Sequence, residues 1–258
     1  MLEIKNLYGG YGDTDILKDI NISIKKGSFC GLIGRNGAGK SALLKTICSL
    51  LKPSKGEIFI DGQNTAALSK IDLAKKIAFM PQTLEPSFDF TVKEFLTFAR
   101  FPYMGIFKIP SKKDDEAIDK ILDFMDLKNF AQKSINELSG GERQKVSIAQ
   151  IIAQDADILI FDEPTAHLDI GAQYAILQIL KDLNENLCKT IIASLHDLNS
   201  AGEFCKELIL LDDGQIKKHG SAEEVLNYQD IEEAYQTRVI VKTNPISNKP
   251  YVIPVIIP

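Results

Sequence analysis

Apolar and polar residues alternate at the start of the chain in "LEIKNL" (2–7) and "NISIKKG" (21–27), the pattern of half-buried strands that pair with each other. Further strands are expected at Gly31-Leu32-Ile33, in "GEIFIDG" and in "KIAFMPQ". From about Thr91 to Ala153 the period changes. In "TVKEFLTFARF" and "DDEAIDKILDFMDL" the apolar residues recur at helical spacing, with breaks at Pro102 and Pro110. Strands return in "DILIFDE", "KTIIAS" and "ELILLDDGQIKKHG", the last a hairpin through Asp213-Gly214, and Ser221 to Glu224 has the form of a capping box. Buried apolar strands alternating with helices imply an α/β fold with a mostly parallel sheet. The expected layout is a single domain over 1–258. Residues 1–88 and 155–225 form the core, which begins with an antiparallel N-terminal part, while 89–154 are an inserted helical subdomain and 226–258 a C-terminal extension.

One junction in this pattern carries chemistry. In "GLIGRNGAGKSALLKTI" a strand feeds a helix, marked by Leu43, Leu44, Ile47, Leu50 and Leu51, through Gly34-Arg35-Asn36-Gly37-Ala38-Gly39-Lys40-Ser41, with Ala42 opening the helix behind. Two glycines with four residues between them, then Lys-Ser, between a strand and a helix, make a phosphate-binding loop. The glycines let the backbone curl so that its N–H groups point inward, and the helix adds unsatisfied amides and its positive end. Lys40 is expected to bridge the β- and γ-phosphates of ATP, and the Ser41 hydroxyl to take one position on Mg2+.

At 258 residues the chain suffices for one large core or a core with a subdomain. With 45% apolar and 25% charged residues it is globular rather than disordered. A net charge of -5 gives no electrostatic footprint for nonspecific nucleic-acid binding, and no nucleic-acid partner is expected. Cys30, Cys48, Cys188 and Cys205 stand far apart without metal-type spacing and are read as reduced thiols of a cytosolic protein. "MLEIKNL" lacks the features of a signal peptide, and no window approaches the run of about 18 apolar residues that spans a bilayer. A second chemical stretch is "DILIFDEP", whose apolar residues deliver Asp162 and Glu163 to the end of a buried strand, where parallel sheets place their ligands. Neighbouring strand residues face opposite ways, so the two carboxylates are expected to divide the work. Asp162 holds Mg2+ and Glu163 polarises the water that attacks the γ-phosphate.

Together with "LSGGERQ" (138–144), these stretches resemble the ATP-binding cassette ATPases, the P-loop NTPase subunits that hydrolyse ATP for ABC transporters. The resemblance covers nearly the whole chain. It implies that Ser139, Gly140 and Gly141, at a helix N-terminus, grip the γ-phosphate bound to a partner subunit, so that two chains share two sites in a homodimer. It also implies an adenine-stacking ring at Tyr11, with Tyr8 a nearby competitor. Gln82 would reach Mg2+ and the attacking water, Asp169 in "AHLD" would cross the dimer seam, and His196 in "SLHD" would contact the γ-phosphate. Ala166 and Ala42 depart from the residues common in the family, serine and threonine; the magnesium ligand Ser41 is retained.

Two stretches bear on the kind of transporter. "FARFPYMGIF" resembles a Gly-Arg-x-Pro-Tyr/His segment of cassettes that energise import of ferric siderophores, haem and cobalamin, with Ala99 for the glycine. The tail, from "GSAEEVLN" through "AYQTRVIV" to "KPYVIPVIIP", resembles the ends of the same subunits, although an apolar edge strand would read alike. The resemblance implies an ATP-hydrolysing importer subunit, cytoplasmic and peripheral on the inner face of the membrane. Its partners would be transmembrane permease subunits and, through the complex, a separate substrate-binding protein. An importer of zinc, manganese or molybdate is the alternative, and a soluble cassette ATPase a further one. Arg100, Phe101, Tyr103 and Phe107 offer the charge and rings of a permease-docking surface, or else the rings of Phe101, Tyr103 and Phe107 pack the insertion's own core.

Overall fold

The structure, a computed structural model, describes residues 1–12, 14–82, 89–105 and 109–255. In chain order, β1 (Leu2–Tyr11) and β2 (Thr14–Ile24) form an antiparallel hairpin, with Leu2 opposite Ile24 and Tyr11 opposite Thr14. β3 (Phe29–Ile33) leads through the glycine loop into α1 (Lys40–Ile47). β4 (Lys55–Ile60) and the short β5 (Gln63–Asn64) complete a four-stranded sheet in the order β2-β1-β4-β5. Next come α2 (Lys70–Lys76), β6 (Ile77–Met80), α3 (Val92–Phe98), α4 (Lys112–Phe124) and α5 (Gly140–Ala153). β7 (Ile158–Asp162), α6 (Ile170–Leu187), β8 (Thr190–Ser194) and α7 (Leu198–Phe204) follow. β9 (Glu207–Asp212), β10 (Gln215–Gly220), α8 (Ala222–Val225), α9 (Tyr228–Tyr235), β11 (Val239–Thr243) and β12 (Pro250–Pro254) close the described chain.

The chain packs as two compact units, Met1–Ala67 with Leu177–Pro258, and Leu68–Ile176. In the first, β3 lies between β8 and β9 and parallel to both, and β10 runs antiparallel along β9. β3 and β8 are buried at every position, as unbroken apolar strands in parallel sheets are. α1 contributes Leu43, Leu44 and Ile47 to this core. In the antiparallel sheet Leu2, Ile4, Ile22 and Ile24 keep the alternation read from sequence, and Leu7, Leu17 and Ile20 join the buried face across register shifts. β11 and β12 pair with each other, and Asn199 of α7 clasps β12 by accepting from Val252 N at 2.8 Å and donating to Val252 O at 3.2 Å. Cys30 and Cys205 are buried here, and burial pushes both thiols up, away from the reactive thiolate.

In the second unit, β6 and β7 pair in parallel, Ile77 opposite Ile158 and Met80 opposite Phe161. α3, α4 and α5 bury Val92 and Leu96, Ile118 and Leu122, and Val146 and Ile148 respectively. Each of the three begins with a complete capping box, Thr91 with Glu94, Ser111 with Asp114 and Ser139 with Glu142. The described chain thus has the expected α/β character, with parallel strand pairs, an antiparallel N-terminal part and a helical stretch. Two features lay outside the sequence reading: β1 continues through Gly9 and Gly10 to Tyr11 by way of register shifts, and α2 precedes β6. Residues 106 and 107 of "FARFPYMGIF" and 256–258 of the apolar tail lie outside the described residues.

Candidate functional site

In the first unit the glycine loop has the backbone its sequence demands. Gly34, Gly37 and Gly39 have φ of 150°, 82° and 105°, and a Cβ on Gly34 would lie 2.2 Å from the carbonyl oxygen of Leu211. Gly39 caps α1 without a side-chain acceptor, and the first helical bond runs from Leu43 N to Gly39 O. The amides of Lys40, Ser41 and Ala42 therefore precede that bond, at the positive end of a helix. α2, α3, α4, α5, α7, α8 and α9 are all capped by a side chain. The exception is the helix behind the loop, and an anion with several oxygens fits there. Lys40 is buried, its Nζ donating to Gly34 O at 2.7 Å and Arg35 O at 3.2 Å, so the ammonium is folded against the loop. Asn36 and Gly37 are exposed, Ala38 and Ala42 are buried, and Ser41 is half-buried.

Tyr11 closes β1 in the same unit. It is exposed, and Lys45 of α1 stands 5.7 Å from its ring centre. Tyr8 faces Lys55 instead, 5.6 Å from the ring centre, so of the two tyrosines it is Tyr11 that borders the helix behind the loop. His196 is exposed between the end of β8 and Asp197, whose carboxylate caps α7 by accepting from Asn199 N and Ser200 N.

In the second unit Asp162 is the buried last residue of β7. Glu163 has φ 53°, so a left-handed residue, rather than strand alternation, sets the two carboxylates apart. This corrects the geometric ground for their division of labour. Glu163 Oε2 accepts from Gln82 Nε2 at 2.6 Å, which joins two residues far apart in sequence at one point. Within this unit the Asp162 carboxylate and the Gln82 side-chain carbonyl offer oxygen ligands, the donor chemistry that suits Mg2+.

Ser139 caps α5. Its hydroxyl donates to Glu142 Oε2 at 2.6 Å and accepts from Glu142 N at 3.4 Å; that hydroxyl, with Ser139 N donating to the same carboxyl oxygen at 2.8 Å, holds the Glu142 carboxyl below its usual range. Gly140 and Gly141 have no positive φ, and a Cβ on either would meet nothing within 4 Å. Nothing among the described residues requires glycine at these positions. Asp169 Oδ1 accepts from Ala172 N at 2.9 Å and caps α6, a role the sequence reading did not include. Gln144, the last residue of "LSGGERQ", belongs to the same site although its letter alone does not mark it; its Nε2 donates to Pro164 O at 2.6 Å, tying α5 to the residue after Glu163.

The sequence model of the ABC transporter family matches residues 17–166. The iron(3+)-hydroxamate import ATP-binding protein FhuC of Bacillus subtilis is 38% identical over 249 residues, 96% of this chain and 93% of that protein. The chain belongs to the ABC transporter family. The ferric enterobactin transport ATP-binding protein FepC of Escherichia coli is 34% identical, covering 95% of this chain and 90% of that one. Among solved structures, a dimeric ATP-binding cassette in a post-hydrolysis state with ADP and Pi superposes with a TM-score of 0.74. It is 32% identical, over 86% of this chain and 99% of that one. Like the family's other cassettes, this chain is an ATPase.

One part of the surface expected to dock an ABC permease is internal. Arg100 Nε donates to Asp114 Oδ1 at 3.1 Å and its Nη1 to Ala153 O at 3.0 Å, while its guanidinium lies 4.3 Å from the centre of the Tyr103 ring. Tyr103 in turn donates to Asp155 O at 3.2 Å. Arg100 is therefore a pin between α3, α4 and α5. Phe98, Phe101 and Tyr103 remain exposed, and Phe107 lies outside the described residues.

Proposed function

We propose that this ABC ATPase is the ATP-hydrolysing subunit of an importer for a metal chelate of the iron-siderophore, haem or cobalamin class. FhuC and FepC are named for iron(3+)-hydroxamate import and ferric enterobactin transport, and the likeness to both runs nearly end to end. The observation that carries the ATP reading is the uncapped N-terminus of α1 behind the glycine loop. The whole chain acts as one cassette, with 89–154 as its helical subdomain and 226–258 as its extension.

The residue roles follow the motifs. The amides of the loop Gly34–Ser41, with Ala42 behind it, seat the phosphates, Lys40 neutralises the β- and γ-oxygens, and Tyr11 stacks on the adenine. Ser41, Asp162 and Gln82 would hold Mg2+, which when bound supplies charge neutralisation on the phosphate oxygens. Glu163 accepts a hydrogen bond from the attacking water and orients it, Gln82 holds Glu163 and the water in register, and His196 steadies the γ-phosphate. Ser139, Gly140 and Gly141 grip the γ-phosphate of a second copy, and Asp169 crosses the seam between copies. The open space over both glycines supports this reading, since a neighbouring chain's phosphate needs it and this chain does not.

The homodimer sits on the cytoplasmic face of the membrane against two permease subunits, and a separate binding protein delivers cargo. No helix among the described residues is long and apolar enough to cross a membrane. Purified protein with MgATP is expected to release phosphate. Lys40→Ala should weaken nucleotide affinity by roughly ten- to a hundredfold, the loss of a charge-assisted bond of about 1.5–3 kcal/mol. Reconstituted with its permease, the ATPase should be stimulated by binding protein loaded with a ferric chelate and not with zinc or molybdate; the reverse preference overturns the substrate class.

A further inference from the structure

The turn between β9 and β10 grips the phosphate loop. β9 runs parallel beside β3, Leu210 opposite Ile33, so the turn after β9 and the loop after β3 emerge side by side. Asp213 and Gly214 both have positive φ, 42° and 77°, as the two-residue turn of a tight hairpin requires. Gly214 N donates to Ala38 O at 3.0 Å, and Gly214 O accepts from Lys18 N at 2.8 Å. A Cβ on Gly214 would stand 1.7 Å from Ile16 O. Backbone is thus packed directly on backbone, from β2 through the turn to the loop.

One side-chain link reinforces this contact. Arg35, the second residue of the loop, donates from Nη2 to Asp213 Oδ1 at 2.8 Å, and its Nε lies 3.6 Å from Asp212 Oδ1. The carbonyl of the same residue accepts from Ala38 N at 3.2 Å and from Lys40 Nζ at 3.2 Å. Arg35 is therefore held by its side chain to the turn and by its backbone to the phosphate-binding lysine. A guanidinium inside an anion loop would ordinarily be a phosphate ligand, but here two carboxylates engage it.

We propose that Asp213 is a positioning residue for the nucleotide site, holding the phosphate loop in its binding-ready shape through Arg35 and drawing that guanidinium toward the turn. The proposal rests on the loop being the nucleotide seat. The Asp213 side chain is 76% exposed, so the pair is screened by salt, and its contribution is preorganisation of the loop rather than gross stability.

Asp213→Asn tests this, because asparagine tolerates the left-handed turn position and removes only the charge. At low ionic strength its affinity for MgADP, measured by titration calorimetry, should fall three- to tenfold, and the gap from wild type should close as salt is raised to half-molar. Arg35→Ala should show the same loss and the double variant no more than either single change, while Arg35→Lys should recover most of the affinity. In nucleotide-free protein, amide exchange in the peptide spanning 34–40 should speed up in Asp213→Asn, with the melting temperature unchanged. Wild-type affinity in Asp213→Asn at low salt, additive losses in the double variant, or unaltered exchange would each overturn the clamp. Failure of the wild type to bind MgADP would instead sink the nucleotide reading, and the exchange measurement would still decide the clamp.

Discussion

Arg100 illustrates what a residue's neighbours in sequence do not tell. With rings on both sides and a proline two residues on, it reads as an interface anchor, yet its guanidinium is engaged by Asp114, Ala153 O and the Tyr103 ring. The side chains of Arg100 and Asp114 are only 12% and 6% exposed, so Arg100→Ala leaves a carboxylate without its cation in poor solvent. Ser111 still bonds Asp114, which limits the damage to about 2–3 kcal/mol, or a fall in Tm of roughly 5–10 °C by calorimetry. Phe101→Ala, at an exposed ring, should leave Tm unchanged and lower only permease-stimulated hydrolysis. The hydroxyl and amide of Ser111, together with Arg100, hold the Asp114 carboxyl below its ordinary value. Because the folded value is depressed, the stabilisation is present above the unfolded carboxylate value near 4 and is lost as pH falls through the folded one. Urea midpoints between pH 6 and pH 2 should show that loss in wild type and less of it in Arg100→Ala.

At the scale of elements, α5 has an end with two uses. Ser139 closes a capping box with Glu142, which stabilises the helix, and the proposed role adds a seat for a phosphate from another chain. Ser139→Asp separates the two, since aspartate caps a helix as well as serine does but sets a negative charge against the phosphate. That variant should fold with wild-type helicity and bind ATP, while phosphate release falls at least a hundredfold; full hydrolysis would confine Ser139 to capping. The family resemblance of "LSGGERQ" made this helix start legible, and unbroken apolar runs made β3, β7 and β8 legible. α2 escaped notice because it buries no residue and so carries no apolar stripe, only the Ser69 and Asp72 cap. The pairing of Gln82 with Glu163, and of Arg35 with Asp213, follows from where loops meet, which hydrophobic period does not encode.

For the whole molecule the proposed function requires two chains, because the phosphate loop and α5 of one chain would serve different nucleotides. Lys40→Ala and Ser139→Arg should each be inactive at an ATP concentration too low to fill the weakened Lys40→Ala site, while the second still binds ATP. Heterodimers formed by mixing them place both defects at one shared site and leave the other sound, so part of the phosphate release should return. The most direct test of the central claim is Glu163→Gln, which keeps the shape and the bond from Gln82 but cannot take a proton from water. Size-exclusion chromatography with light scattering in MgATP should show this variant as a stable dimer holding two ATP molecules, with hydrolysis reduced at least a hundredfold. A Glu163→Gln protein that stays monomeric at saturating MgATP, or turns over at the wild-type rate, would contradict the account.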